Sequence, residues 1–302
     1  MPYPPIETIA SNPSLEGLAR MLPDVTYSTA TGTDLRMAIL LPWSHEQPDS
    51  THRAPLVVFV QGSGWTFPNI YEEIPQLSEY ARDGYVVATV THRNAMEGHP
   101  FPAYLQDVKT AIRFLRAHAD EYGIDPQNVT IWGTSSGGNT AMLVGLTPDD
   151  PRFKTEEYAD ESDAVQAVVQ CFGPTDIPAL LEATLQAQPD LDIDAADNLF
   201  YALCGGPASE HMDVGDKMSP IRYIASCPSL PPFLMLQGDA DPVVPYQQCV
   251  SMYEALCDAG ADVKMIRVTG APHEGAFWSR ELLARIRRFI DQASGREIAN
   301  EN

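Results

Sequence analysis

A serine lies between two glycines in the run G-T-S-S-G at 133–137, after a strand-like stretch at 129–132 and before a helix-like stretch at 139–145. This spacing predicts that Ser135 occupies a sharp strand-to-helix turn, which pushes its hydroxyl out of the fold as a nucleophile. The flanking glycines let strand and helix approach closely. The same turn aims a helix N-terminus at the serine, where free N–H groups stabilise a developing oxyanion. The pattern indicates acyl transfer through a serine.

Such a serine also needs a base that removes its proton and an acid that orients the base. His273 follows the last predicted strand, and it alone among the seven histidines does so. Asp239 and Asp241 both follow the preceding strand. We assign the acid to Asp241, because Pro242 and the apolar residues after it would bury the carboxylate at the sheet edge, and we interpret Asp239 as a turn former. An exposed loop histidine is the alternative for His273.

The run V-Q-G-S-G-W at 60–65 is predicted to supply backbone donors for the oxyanion, and the N–H of Ser136 supplies a further donor. Gly62 and Gly64 permit positive φ and close approach of a substrate, whereas the alternative is an ordinary glycine-rich turn. Trp65 would form a wall of the acyl pocket, with a core tryptophan as its alternative.

The elements that must position these residues alternate between strand and helix. A hairpin is predicted at 25–28 and 35–41. Apolar runs predict further strands at 56–60, 85–90, 129–132, 164–172, 233–236 and 263–268. Helical spacing occurs at 71–83, 104–122, 137–146, 246–259 and 278–293. The predicted fold class is therefore α/β, with a mostly parallel central sheet of about eight strands flanked by helices.

One interval interrupts this alternation. Residues 173–232 are punctuated by glycine and proline pairs and are too many for a simple connection, so we predict a helical cap inserted over the strand ends. The catalytic core then comprises 24–172 and 233–296 as a single domain. The N-terminal segment, 1–23, either packs on the cap at the pocket mouth or lies on the surface, and the sequence leaves both readings open.

Composition and charge narrow the class of partner. The chain has 302 residues, of which 44% are hydrophobic and 20% charged, an ordinary globular mixture. Its formal net charge of −22 would repel phosphate backbones and anionic lipid, so we expect neither nucleic acid nor a membrane as partner. A basic and apolar secretion signal is not found at the start, so we expect a cytoplasmic protein.

Cysteine usage bears on redox state and metal binding. The five cysteines are irregularly spaced without a C-x-x-C pair, which favours reduced structural thiols over a zinc site or a disulfide framework. A Cys204–Cys227 or a Cys249–Cys257 bridge is the alternative. The serine chemistry needs no metal and no other cofactor. The oligomeric state stays open between monomer and homo-oligomer.

The run Q-G-S-G-W at 61–65 is similar to an H-G-G-G-W oxyanion motif, and further similar stretches are 101–111, 122–126 and 131–139. Together they resemble α/β-hydrolase serine esterases of the hormone-sensitive-lipase and BD-FAE-like carboxylesterase groups. The resemblance covers roughly residues 30–293. It implies the α/β-hydrolase fold and assigns the site residues: Ser135 as nucleophile, Asp241 as acid, His273 as base, and Ser63, Gly64 and Ser136 as oxyanion donors.

Two positions depart from that motif. Gln61 replaces its histidine, and Ser63 replaces its middle glycine, so that a side chain would narrow the acyl site or add a hydroxyl donor. The run T-H-R-N at 91–94 also differs from the Y-R-L-like segment that is usual in these esterases. Substrate preference therefore does not transfer from the family.

Three other polar residues are interpreted as structural. Two of them are His92 and His99, which are interpreted as structural instead of catalytic. Asp107 precedes Ser135 in the chain, whereas the acid of this architecture follows the nucleophile, so we expect Asp107 to support a loop or a helix.

The leading hypothesis is a carboxylic ester hydrolase that acts on a small-molecule ester through an acyl-enzyme. The acidic surface and the cap favour a neutral or carbohydrate-linked ester with an acetyl or hydroxycinnamoyl group. One alternative is an amide hydrolase of the formamidase type. Another is a non-catalytic small-molecule binding protein on the same fold, which often lacks one member of the triad, whereas all three are present here.

Overall fold

The computed structural model describes residues 3–32, 34–43 and 53–296. The strands are β1 (Ala19–Ser28), β2 (Leu35–Pro42), β3 (Ala54–Val60), β4 (Val86–Val90), β5 (Ile124–Thr134), β6 (Ala167–Cys171), β7 (Phe233–Gly238) and β8 (Val263–Val268). The α-helices are α1 (Ile74–Arg82), α2 (Ala103–Ala117), α3 (Ala119–Tyr122), α4 (Ser136–Leu146), α5 (Ile177–Ala187), α6 (Leu199–Cys204), α7 (Met212–Lys217), α8 (Tyr246–Asp258) and α9 (Arg280–Ala293). Short 3-10 helices lie at Ala95–Glu97, Ala208–Glu210, Pro220–Ser226 and Gly275–Phe277.

The strands form one eight-stranded sheet in the order β1-β2-β4-β3-β5-β6-β7-β8. Strand β2 runs antiparallel to both of its neighbours, and all pairs from β4 to β8 are parallel. The loops that follow β3, β5, β7 and β8 therefore leave the sheet at the same edge. This arrangement confirms the predicted fold class and brings the candidate site residues to one side of the sheet.

The hairpin at the start of the sheet is present, but its first strand begins earlier than predicted. Strand β1 starts at Ala19, which pairs with Pro42, so residues 19–23 belong to the sheet although the sequence analysis places them in the N-terminal segment. The register shifts between Leu22 and Val25. An edge strand has one neighbour only, so most of its side chains stay partly exposed and the apolar alternation is too weak to mark its start.

Both faces of the sheet are covered by helices and buried. Successive side chains of a strand point to opposite faces, so each strand contributes to both apolar cores. In β3, Val58 belongs to the apolar core beneath α2 and α4, whereas Val57 and Phe59 belong to the core beneath α1 and α9. Every residue of α4 is buried. A helix enclosed on all sides is expected to be mostly apolar, and α4 is so from Ala141 onward, whereas Asn139 and Thr140 in its first half hydrogen-bond to backbone carbonyls.

A buried ionic cluster fixes α2 to the segment that precedes β6. Lys109 Nζ lies 2.7 Å from one oxygen of Asp163, and Arg113 Nη1 lies 3.1 Å from the other, with all three side chains fully buried. Burial lowers the pKa of Lys109 and of Arg113, and the carboxylate of Asp163 acts in the opposite direction. Asp163 also accepts the N–H of Asp149 at 2.8 Å. Both cations thus depend on one carboxylate.

Residues 173–232 hold α5, α6 and α7 and pack against the site side of the sheet. Asn139 of α4 donates to the carbonyls of Pro174 and Met218, each at 2.9 Å. The N–H of Phe101 donates to the carbonyl of Leu203 in α6 at 3.0 Å. The division into a core and a cap stays a prediction. A cap over the strand ends is expected to contact the core helices, as residues 173–232 do at α4 and just before α2.

We expect Asp163→Asn to destabilise the protein by about 3–5 kcal/mol, because it leaves two buried cations without a carboxylate. The free energy of unfolding from urea titration measures the effect. Asp160→Asn, which removes a carboxylate from an exposed position, serves as control and should change stability by no more than about 0.5 kcal/mol. Equal unfolding midpoints for the two variants would contradict this role of the cluster.

Candidate active site

Ser135 occupies the turn between β5 and α4. Its backbone has φ 50° and ψ −123°, a combination that residues with a side chain rarely adopt. Its N–H donates to the carbonyl of Cys171 at 2.9 Å, and its own carbonyl accepts the N–H of Asn139 at 3.1 Å. The neighbouring strand and the first turn of α4 thus hold the strained conformation in place, and the turn is the one that the glycine pattern predicts.

Close backbone contacts require glycine on both sides of Ser135. A methyl group on Gly137 would lie 2.0 Å from the carbonyl oxygen of Val60, and one on Gly133 would lie 2.0 Å from the carbonyl oxygen of Gly137. Gly62 is equally restricted, because a methyl group there would lie 2.7 Å from Cβ of Ser135. The loop after β3, the end of β5 and the start of α4 therefore approach one another so closely that these three positions have no room for a side chain.

A continuous chain of hydrogen bonds joins the three predicted triad residues. His273 Nε2 lies 2.8 Å from Ser135 Oγ, and His273 Nδ1 lies 2.8 Å from Oδ2 of Asp241. The Asp241 side chain is fully buried and also accepts from the N–H groups of Val243 and Val244 and from the side-chain amide of Gln237. Because both of its oxygens accept, Nδ1 of His273 donates and Nε2 is free to accept the proton of the serine.

Asp239, the competing acid in the sequence, faces away from this chain. Its carboxylate accepts the N–H of Gly270 at 2.5 Å and pairs with the guanidinium of Arg267. The bond from Gly270 and the charge of Arg267 lower the pKa of Asp239. Asp239 therefore joins the ends of β7 and β8 through its side chain, instead of forming a turn within its own loop as the sequence analysis expects.

The loop after β3 lies against the turn at Ser135, but its donors are not all free. The N–H of Gly62 donates to the hydroxyl of Thr134 at 2.8 Å, and the N–H of Ser63 donates to the hydroxyl of Ser136 at 3.0 Å. Within the described residues, the N–H groups of Gly64 and Ser136 have no acceptor. Of the three predicted oxyanion donors, two are thus available, and Ser63 is already paired.

The side chain of Ser63 does not enter the site. Its hydroxyl donates to the carbonyl of Thr66 at 3.3 Å, and the Thr66 hydroxyl donates back to the carbonyl of Ser63 at 2.5 Å. Trp65, which has φ 55°, is buried, with its ring centroid 6.1 Å from that of Tyr104. Its burial against α2 fits the core interpretation, and its role as a pocket wall stays a prediction.

The segment after β4 contacts the loop after β3, which holds the candidate oxyanion donors and is called the oxyanion loop from here on. Arg93 makes a two-pronged contact with the buried carboxylate of Asp107 on α2, and its N–H donates to the same group at 2.8 Å. The N–H of Ala95 in turn donates to the carbonyl of Trp65 at 3.0 Å. Burial lowers the pKa of His92, whose ring nitrogen contacts the carbonyl of Arg93 and whose ring centroid lies 6.1 Å from that of Tyr104. Asp107 and His92 are thus structural.

Gln61 ties the oxyanion loop to the residues before α1. Its side-chain carbonyl accepts the N–H of Asn69 at 2.5 Å, and its amide nitrogen donates to Glu72 at 3.0 Å and to Glu73 at 3.2 Å. Burial raises the pKa of Glu73 to about 7, the charges of Glu72 and Glu274 act in the same direction, and the bond from Gln61 acts against them. Glu274 follows the candidate base directly in the chain.

Several of these residues escape sequence reasoning. The hydroxyls of Thr134 and Ser136 accept bonds from the loop after β3, and the carboxyl of Glu73 accepts one from Gln61 in the same loop. The amide of Gln237 binds Asp241, four residues further along the chain. One signal is present: hydroxyl residues stand on both sides of Ser135, which is otherwise flanked by small residues. Among the described residues, no cluster of histidine, cysteine and acidic side chains could hold a metal ion, all five cysteines are free, and no helix has the length and apolarity needed to cross a bilayer.

An eight-stranded, mostly parallel sheet with a strained serine at the end of its central strand, linked through a histidine to an aspartate, defines an α/β hydrolase. The chain belongs to the BD-FAE family, whose model matches residues 44–256. The resemblance drawn from the oxyanion run and the serine turn is thereby confirmed.

Curated relatives of the chain include two proteins of Mycobacterium tuberculosis. One, the probable carboxylic ester hydrolase LipM, is 30% identical over 215 residues, which are 71% of this chain and 47% of the relative. The other, esterase LipC, is 30% identical over 225 residues, which are 74% of this chain and 53% of the relative. The chain thus spans about half the length of these curated relatives.

Solved structures with the same fold include a truncated carbohydrate esterase from gut microbiota. It is 25% identical, has a TM-score of 0.75 and aligns over 95% of this chain and 100% of its own. The native form of esterase 2 from Thermogutta terrifontis, at 24% identity and a TM-score of 0.73 over 96% and 97% of the two chains, supports the fold alone.

We expect the stability of the protein to fall with rising pH through Glu73. Its pKa is raised from the usual 4.5 to about 7 in the folded state, so the folded protein binds this proton more tightly than the unfolded chain. The resulting stabilisation is complete below pH 4.5 and is lost as the pH rises to about 7. Glu73→Gln should therefore lose less stability than the wild type between pH 5 and pH 8, measured as urea midpoints.

The control for this comparison is Glu79→Gln, which removes an exposed carboxylate from α1. It should follow the wild-type pH dependence. The carboxylates of Glu72 and Glu274, whose charges act on Glu73 in the wild type, are retained in both variants. Parallel curves for the wild type and Glu73→Gln would show that the proton of Glu73 is not linked to folding.

Proposed function

We propose that this chain is a serine carboxylesterase with Ser135 as nucleophile, His273 as base and Asp241 as the acid that orients the base. The observation that carries the proposal is the pair of 2.8 Å contacts that His273 makes with Ser135 Oγ and with Asp241. The printed names of the relatives, carboxylic ester hydrolases and esterases, support the same reaction class. A non-catalytic binding protein has no need of this alignment.

The geometry supports a two-step reaction. Ser135 Oγ attacks the ester carbonyl while Nε2 of His273 takes its proton, and the imidazolium then gives that proton to the leaving alcohol. Asp241 holds the ring and stabilises its charged form. Water, activated by the same imidazole, attacks the acyl-enzyme, releases the carboxylic acid and restores the serine.

Charge that develops on the carbonyl oxygen needs donors that are already in place. The N–H groups of Gly64 and Ser136 suit this need, because neither has an acceptor in the described part of the chain. Ser136 directly follows Ser135, and Gly64 belongs to the loop whose Gly62 packs against Cβ of Ser135. The N–H of Ser136 also opens α4, where the helix dipole favours negative charge.

For the substrate, we propose a small neutral ester with an acetyl or hydroxycinnamoyl acyl group on a carbohydrate-linked alcohol. The net charge of −22 disfavours an anionic substrate. Leu199 of α6 approaches Gly64, with 3.8 Å between its Cδ2 and the place of a methyl group on that glycine, so the 173–232 segment limits the space beside the oxyanion loop. A structural neighbour is a carbohydrate esterase by name.

A panel of p-nitrophenyl esters, from acetate to ferulate, tests the activity. We expect turnover by the wild type and a loss of roughly 10⁴-fold or more for Ser135→Ala, together with labelling of the wild type alone by a fluorophosphonate. A folded wild type without turnover or labelling would favour the binding protein. Faster turnover of N-formylkynurenine than of every ester would favour the formamidase alternative.

Asp241→Asn tests the assignment of the acid. An amide in place of the carboxylate can donate to Nδ1 and so favours the wrong tautomer of His273, for which serine proteases show a loss of about 10⁴-fold in kcat. We expect a loss of about 10³–10⁴-fold in kcat for this variant. Asp239→Asn, two residues away, is the matched control and should stay within about tenfold of the wild type. Comparable losses in the two variants would contradict the assignment.

A further inference from the structure

Two hydroxyl groups beside the nucleophile bind the oxyanion loop through its backbone. Thr134, before Ser135, accepts the N–H of Gly62 at 2.8 Å, and Ser136, after it, accepts the N–H of Ser63 at 3.0 Å. Both hydroxyl side chains are buried, at 1% and 2% exposure. The Ser136 oxygen therefore lies where an oxyanion bound to the Ser63 N–H would have to lie.

The hydrogen of the Ser136 hydroxyl has no acceptor among the described residues. A hydroxyl carries one donor and two acceptor sites, and the bond from Ser63 uses an acceptor site only. Other hydroxyls around the turn do have an acceptor. Thr140 donates to the carbonyl of Ser136 at 2.9 Å, and Ser63 donates to the carbonyl of Thr66. A buried donor without a partner is costly unless a ligand supplies the acceptor.

We propose that the Ser136 hydroxyl is a direct donor to the oxyanion, in place of the N–H of Ser63. This inference rests on the proposed function, since an oxyanion forms only if Ser135 attacks a carbonyl. The site then holds three donors, namely the N–H of Gly64, the N–H of Ser136 and the hydroxyl of Ser136. The N–H of Ser63 acts behind the hydroxyl and polarises it.

The chemistry of a hydroxyl suits this position. Its hydrogen rotates freely about the C–O bond, and an O–H group that faces an anionic oxygen forms a shorter and stronger bond than one that faces a neutral carbonyl. The contact therefore gains strength as charge develops and lowers the barrier more than it tightens substrate binding. Burial of Ser136 keeps water from competing for the same hydrogen.

Ser136→Ala tests the assignment, with kcat and KM measured on p-nitrophenyl acetate. We expect kcat to fall about 10²–10³-fold with little change in KM, the size found when one oxyanion donor is removed. The affinity for a trifluoromethyl ketone, which forms a hemiketal oxyanion on the serine, should fall by a similar factor. Ser136→Cys is a less disruptive change that leaves a weak S–H donor. Its kcat and its affinity for the ketone should lie between those of the wild type and those of Ser136→Ala.

Thr140→Val is the matched control, because it removes a buried hydroxyl one turn later in α4 and costs stability without touching the oxyanion. Its kcat should stay within about threefold of the wild type. If Ser136→Ala and Ser136→Cys keep wild-type kcat and wild-type ketone affinity, the N–H of Ser63 binds the oxyanion itself and the inference is wrong. A folded wild type that neither hydrolyses esters nor binds the ketone would overturn the proposed function together with the inference.

Discussion

The contact between Gly137 and the carbonyl of Val60 is the constraint on which the site depends. Strand β3 ends so close to the first turn of α4 that no side chain fits between them, since a methyl group on Gly137 would lie 2.0 Å from the Val60 oxygen. That proximity brings the loop after β3 beside the strained serine. Without it, the N–H groups of this loop and the hydroxyl of Ser135 could not face the same reacting atom.

The remaining parts of the site extend this contact to the other strand ends. Sheet pairing of β5 with β6 places the carbonyl of Cys171 where it accepts the N–H of Ser135. Strand β7 carries Gln237, whose amide donates to Asp241 at 2.8 Å, so the acid is held by its own strand as well as by the loop after it. Ser135 and Asp241 are thus each held by a strand of the parallel sheet, and the imidazole of His273 spans the distance between them.

Much of this arrangement could be predicted from the sequence because it follows from chain order. Apolar runs marked the central strands, and the rule that loops after parallel strands share one edge brought Ser135, Asp241 and His273 together. What the sequence did not predict depends on side chains that meet across loops. The bond from Ser63 to Ser136 joins positions 73 residues apart, and nothing in either local pattern encodes it. The early start of β1 was hidden because an edge strand keeps weak alternation.

Gln61 shows why a motif read one residue at a time is misleading. A glutamine in place of the family's histidine looks like the loss of a functional group, yet the structure gives it three partners: an accepted bond from Asn69 and donated bonds to Glu72 and Glu73. A neutral imidazole has one donor and one acceptor, so it would leave one of these carboxyls without a bond. Gln61 and the two glutamates therefore form one unit, and that unit closes the loop from which the oxyanion donors come.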